Sequence, residues 1–235
     1  MRALLSIYLW LIGGLYFGTV AVVGSLLTYI IPREKLDPWL KRWLRFLFRL
    51  LFSRVDVEGA EKIDTRTTHL FMANHVSLFD VPLLGATIPQ VVQGVEAKEQ
   101  FSWPIYGWTI RRLGNIPIDR KNIHSSIRSL RKVEKLLQKG RSIIIMPEGH
   151  RTLDGKLRPF KKLPFHLAKQ ADVAIAPIGL SGLYSLKPKG SWMIRPTRLK
   201  VKFGNIISLD TVRSLSVQEL MDRTRKAIQA LVERP

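Results

Sequence analysis

The chain has 235 residues, a net charge of +20 at pH 7 and no cysteine. That length accommodates one domain with a substantial core plus an appendage. The charge selects anionic partners (nucleic acid, lipid headgroups or phosphorylated substrates), and the missing cysteines exclude disulfides, thiolate metal sites and a cysteine nucleophile.

The first fifty or so residues are rich in Leu, Trp, Phe, Tyr and Gly, which tips the choice of anionic partner toward the membrane. No charged residue falls between positions 3 and 31. A helix of that length spans about 43 Å, against a hydrocarbon core of about 30 Å. Such a segment crosses once with tilt, breaks at Gly13-Gly14 and re-enters, or lies partly in the interface. A cleaved signal peptide fits less well, because its apolar region is shorter and Arg2 is the sole positive residue at the start. Residues 1–35 are therefore expected to form a membrane anchor. Arg33, Lys35, Lys41, Arg42, Arg45 and Arg49 come directly after the uncharged run. By the positive-inside rule they place the C-terminal remainder of the chain on the cytoplasmic face.

Residues 36–54 read as a basic amphipathic helix. Lys41, Arg45 and Arg49 make one stripe, while Leu40, Trp43, Leu44, Leu47, Leu50 and Leu51 fill the other side. Trp39, Trp43 and Phe46 suit a headgroup interface, which favours a membrane-surface helix over one packed on the domain behind it.

From residue 55 to residue 235 short apolar runs alternate with helical patterns. Strands are predicted at 69–73, 91–97, 115–118, 142–146, 173–179 and 199–203. Helices are predicted at 78–86, 103–113, 123–139, 160–170 and 217–232. This alternation implies an α/β domain, a mostly parallel sheet flanked by helices. In such sheets chemistry gathers where strands run into loops.

Three polar clusters fall at such points. The first runs from Asn74 to Asp80, after an apolar strand. His75 in the turn and Asp80 in the first turn of the next helix form the general-base half of a triad, with a substrate hydroxyl as nucleophile. Ser77-x-x-Asp80 is equally a capping box, in which Asp80 serves the helix alone and His75 is a core residue. The second cluster ends in Asp119-Arg120 and the third in Glu148-Gly149-His150-Arg151. Arg120 and Arg151 are suited to bidentate binding of one phosphate, or to two separate structural ion pairs. The five histidines are scattered without zinc-ligand spacing, and no Walker-type lysine loop is present.

Taken together the clusters resemble the glycerolipid acyltransferases, in particular the 1-acylglycerol-3-phosphate (lysophosphatidate) acyltransferases. The NHxxxxD block of that family is matched by Asn74 to Asp80, its glycine-to-IDR block by Gly114 to Arg120, and its PEGTR block by Pro147 to Arg151. The apolar strand around Pro177 comes next, in the same order. His150 replaces the usual threonine and Leu163 a usual glycine, and both changes bear on the acceptor more than on the reaction.

The resemblance implies that His75 takes the proton from the acceptor hydroxyl and Asp80 orients His75. The hydroxyl attacks the thioester of acyl-CoA or acyl carrier protein, giving phosphatidic acid. Arg120, Arg151 and Lys98 are expected to hold the acceptor phosphate, Glu148 to help place the glycerol, and Gly149 to be among the substrate-binding residues. No metal and no cofactor is expected, because a thioester is already activated, and no nucleic acid is expected as partner. The nearer alternative is another acceptor, glycerol-3-phosphate or a different lyso-lipid. The distant one is a noncatalytic basic membrane protein binding nucleic acid or anionic lipid.

Overall fold

A computed structural model describes residues 2–232. Helix α1 (Arg2–Leu27) and helix α2 (Arg33–Leu50) lead into strand β1 (Val55–Glu58). The chain continues through β2 (His69–Ala73), α3 (Asp80–Thr87), β3 (Val92–Ala97), α4 (Tyr106–Arg112), β4 (Ile116–Ile118), α5 (Ile123–Gln138) and β5 (Ser142–Ile145). It ends with α6 (Leu163–Gln170), β6 (Ala174–Ser181), α7 (Leu183–Leu186), β7 (Leu199–Phe203), α8 (Leu209–Ser214) and α9 (Val217–Leu231). The sheet has seven strands in the order β1-β7-β6-β2-β5-β3-β4. All neighbours are parallel except β6 and β7.

The parallel α/β expectation holds, and each of the six predicted strands overlaps an observed one. The predictions omitted β1, α7 and α8. Strand β1 is a four-residue edge element, Val-Asp-Val-Glu, exposed enough to lack a continuous apolar run. Its partner β7 supplies the regularity: Leu199, Val201 and Phe203 point inward between two lysines. Pro177 sits inside β6 although it has no amide to donate. Gly204 N–H donates to the Pro177 carbonyl at 2.9 Å, so the missing donor faces the last rung toward β7, not the ladder to β2.

Alternation along β2 divides two cores. Phe71 and Ala73 join α1, α2 and α3 on one side, where Leu9, Leu47, Phe48 and Leu83 are buried. Leu70 and Met72 join α5, α6, α8 and α9 on the other, around Val133, Phe165, Val212 and Ile228.

The N-terminal helices are part of this architecture. Helix α1 runs unbroken through Gly13-Gly14, so of the three alternatives the break is not adopted. One side lies on the domain: Ser6 Oγ bonds the Ile194 backbone, and Trp10 Nε1 donates to the Trp192 carbonyl at 2.6 Å. At Gly24 an added Cβ would stand 2.7 Å from the Leu40 Cδ2 of α2, so the bare glycine lets that side chain lie against α1 without shifting. The other side exposes Leu4, Tyr8, Leu11, Leu15, Val23 and Leu26.

Helix α2 starts before the expected residue 36, and its apolar side does not face outward as expected. Leu36, Leu47 and Phe48 are buried against α1 and α3, with Lys41 paired to Asp37 and Arg45 donating to the Ala86 carbonyl. Packing on the domain prevails because α1 and α3 supply an apolar surface beside it that the local sequence does not reveal. Trp39 and Phe46 remain outside.

Candidate active site

Asn74 directly follows β2 and is buried, its side chain stitched to Leu180 of β6 by two bonds of 2.9 and 2.7 Å. This pins the loop that carries His75 over the strand ends. His75 Nδ1 lies 2.7 Å from Asp80 Oδ2. The same carboxylate accepts from the amides of Val76 at 2.8 Å and Ser77 at 3.0 Å. The capping box offered by the sequence, with Ser77 as N-cap, is not formed: the N-cap position is Phe79 without a side-chain bond, and Asp80 instead ties the turn before α3 to His75. Asp80 is the first residue of α3 and fully buried, so its charge is balanced by the imidazole and these amides. The bond at Nδ1 leaves His75 Nε2 as the ring nitrogen available to a substrate, and His75 lines the adjoining cavity.

The loop after β5 clamps His75 from behind. Glu148 Oε1 accepts from the His75 amide at 2.6 Å and Oε2 from the Arg158 amide at 2.8 Å, while the Thr152 amide donates to the His75 carbonyl at 2.9 Å. Glu148 is buried, and both carboxylate oxygens are occupied by backbone. Its geometry is that of a backbone clamp, holding the loop of His75 to that of Arg158. Burial is the main reason its carboxyl is pushed up to about 7, with Asp80 adding to the rise and the two amides opposing it. Gly149 does not line the cavity. Its φ of +74° makes the turn that Glu148 and Arg151 flank, a conformation glycine adopts without strain.

Arg120, after β4, and Arg151 both line the cavity that holds His75. Burial presses the Arg120 guanidinium below its ordinary value, Glu99 and Glu96 oppose this, and the neighbouring Arg151 adds to it. The sequence did not single out Lys187, whose ammonium is lowered by burial and then by the same Arg151. Like charges gathered this closely favour an anion between them. Lys98 departs from expectation. It is two-thirds exposed and turned toward Asp119 at 3.7 Å, outside the cavity lining, because the turn after β3 directs it outward. His150 stands near the mouth, its imidazole lowered first by burial and then by Arg120, Lys189, Arg158 and Lys161.

Behind this cationic mouth the cavity, about 380 Å³, runs between α1, α2, α3 and β3. Phe17, Val20, Leu40, Leu44, Val81 and Leu84 make its walls apolar. Sequence reasoning also passed over one polar group there. Glu96 of β3 accepts from Tyr106 and Asn115 and is raised mainly by burial, against the pull of those two donors and Arg120. An acid inside an apolar strand was the available signal. The whole arrangement can accept a proton from a hydroxyl at His75 Nε2, hold an anionic headgroup at the arginines and shelter an alkyl chain behind them.

A profile of the family described as Acyltransferase matches residues 54–181. A 1-acyl-sn-glycerol-3-phosphate acyltransferase from Cocos nucifera is 34% identical over 167 residues, covering 71% of this chain and 54% of the relative. A lyso-ornithine lipid O-acyltransferase from Pseudomonas aeruginosa is 35% identical over 149 residues, 63% of this chain and 54% of the relative. The chain spans about half the length of several curated relatives it matches. The crystal structure of a 1-acyl-sn-glycerophosphate acyltransferase from Thermotoga maritima superposes with a TM-score of 0.82 at 27% identity, covering 97% of this chain and 93% of that one. The fold is that of the α/β acyltransferases. The chain belongs to the Acyltransferase family.

Proposed function

We propose that the protein transfers a fatty acyl group from a thioester to the free hydroxyl of 1-acylglycerol-3-phosphate, giving phosphatidic acid. The observation that carries this reading is the His75–Asp80 pair opening into a cavity with two arginines at its mouth and apolar walls behind. His75 Nε2 takes the hydroxyl proton as the oxygen attacks the thioester carbonyl. Asp80 stabilises the imidazolium, which then returns the proton to the departing thiolate. Arg120 and Arg151 hold the acceptor phosphate, and an alkyl chain fits the apolar cavity.

The exposed apolar side of α1 meets lipid, which brings the cavity mouth to its amphiphilic substrate. Arg33, Lys35 and Arg42 next to α1 favour the cytoplasmic face. A different lyso-lipid acceptor is the second reading, favoured by His150 at the mouth and by the Pseudomonas relative.

The test is thioester-dependent thiol release by detergent-solubilised protein against a panel of lyso-lipids. Transfer to lysophosphatidate that vanishes in a folded His75→Ala variant is expected. Near-normal turnover by that variant sinks the mechanism. A phosphate-free acceptor used as well as lysophosphatidate sinks the phosphate site and selects the second reading.

A further inference from the structure

Helix α5 carries a set of cations that the acyl-transfer site does not use. His124, Arg128 and Lys132 recur every four residues, and Arg131, Lys135 and the C-cap residue Lys139 recur every four beside them. At the 100° turn per residue of a helix, all six share one face about 100° wide, and all six are exposed. None of the six forms an ion pair among the described residues, and Glu134 is the sole acid of the helix. Like charges four apart destabilise a helix. Helix α9, on the same side of the sheet, avoids this by mixing Glu219 and Asp222 with Arg223, Arg225 and Lys226. The face of α5 therefore opposes helix stability, which an ordinary solvated surface has no need to do.

Position narrows the partner. Helix α5 packs on the core of Leu70 and Met72, whereas α1 packs on that of Phe71 and Ala73, so the two helices lie on opposite sides of the sheet. A bilayer that meets the apolar side of α1 leaves the α5 cations in water, away from its headgroups. Length narrows it further. The 16 residues of α5 extend about 24 Å, well beyond the phosphates of one bound nucleotide. The stripe begins two residues after the cap Asn122, itself two residues after Arg120 at the cavity mouth, and runs outward from there.

We infer that the basic face of α5 docks an acidic protein surface that delivers the acyl thioester, so that the donor is carrier-protein-borne rather than free coenzyme A. This rests on the acyl-transfer reading above. Complementary charge steers such a partner to the mouth and raises its association rate.

The purified protein in neutral detergent is assayed with one acyl chain presented on acyl carrier protein and on coenzyme A. Two surface variants are compared with wild type, Arg128→Glu with Lys132→Glu, and the milder Arg131→Gln with Lys135→Gln. Expected is a fall of about tenfold to a hundredfold in kcat/KM for the carrier-borne donor by the first variant and a smaller one by the second. Coenzyme A thioester kinetics should stay within about twofold, and added salt should erase the difference. Equal falls with both donors, an unchanged donor ratio, or a wild type that uses coenzyme A thioester alone overturns the inference. Lost binding to anionic vesicles with the donor ratio intact also overturns it, in favour of a lipid surface. A wild type idle with both donors would count against the acyl-transfer reading itself, whereas an active enzyme indifferent to α5 defeats this inference alone.

Discussion

Replacing Asp80 by Asn separates the two duties that this carboxylate combines. Its oxygens face three donors: His75 Nδ1 at 2.7 Å, the Val76 amide at 2.8 Å and the Ser77 amide at 3.0 Å. An amide has one acceptor oxygen and one NH2 group. If the oxygen stays toward His75 and Val76, the NH2 meets the Ser77 amide head on. If it flips, the NH2 meets the Val76 amide and His75 Nδ1, which drives the imidazole proton to Nε2, the nitrogen needed as base. In the first orientation the imidazolium loses its counter-charge, and in the second the base is already protonated. Both orientations lower turnover, by about 10²–10⁴-fold, the range for a positioned general base. Both also lose a charge-assisted bond of about 1.5–3 kcal/mol at a fully buried site, which lowers the melting temperature by about 3–12 °C. Thiol-release kinetics beside thermal unfolding in the same detergent read both effects. A folded Asp80→Asn protein with kcat within about threefold of wild type refutes the reasoning, since a residue that only caps α3 would be replaced by Asn with activity retained.

Arg120→Lys and Arg151→Lys should each weaken use of the phosphate acceptor by about tenfold to a hundredfold, more than use of the donor, because lysine lacks the bidentate fork. Kinetics with acceptor and donor varied in turn decide this, and a change confined to the donor assigns the arginines to the thioester instead. Glu148 titrates near 7 in the fold, well above its unfolded value of about 4.3. A raised carboxyl favours the protonated native state, so its contribution is complete below about pH 4.3 and is lost as pH rises toward 7. Denaturation midpoints at about pH 5 and pH 7.5 should therefore differ less in Glu148→Gln than in wild type, and an unchanged difference contradicts the raised value. Gly149→Ala should lower stability by about 1–2 kcal/mol, since a φ of +74° strains any residue with a Cβ. It should also reduce activity through the loop that clamps His75, and an unaltered melting temperature argues against that backbone conformation.

The site was only partly legible in the sequence. His75, Arg120 and Arg151 were singled out because their chemistry is written in side-chain type and in position after an apolar strand, and the structure places all three on one cavity. The backbone bonds of Glu148 were not legible, because sequence shows a carboxyl without showing what its oxygens accept. Lys98 and Gly149 likewise stand outside the cavity that their neighbours in the chain suggested. Glu96, Tyr106, Asn115 and Lys187 went unnoticed, since each is unremarkable beside its own neighbours and meaningful only beside residues that are distant in the chain.

The same division holds for the fold. The strand pattern, the α/β class and the uncharged first segment are determined by the sequence alone, because side-chain direction repeats every two residues in a strand and every 3.6 in a helix. Periodicity marks an apolar side but not what will cover it. That α2 turns its apolar side to α1 and α3, and that α1 keeps one side for the domain and one exposed, was decided by tertiary packing. The edge strand β1 is likewise set by its partner β7, which lies more than a hundred residues on in the chain. The cavity behind His75 exists only because α1, α2, α3 and β3 meet there. Its volume belongs to the crossing of elements far apart in the chain, and no local pattern encodes such a space.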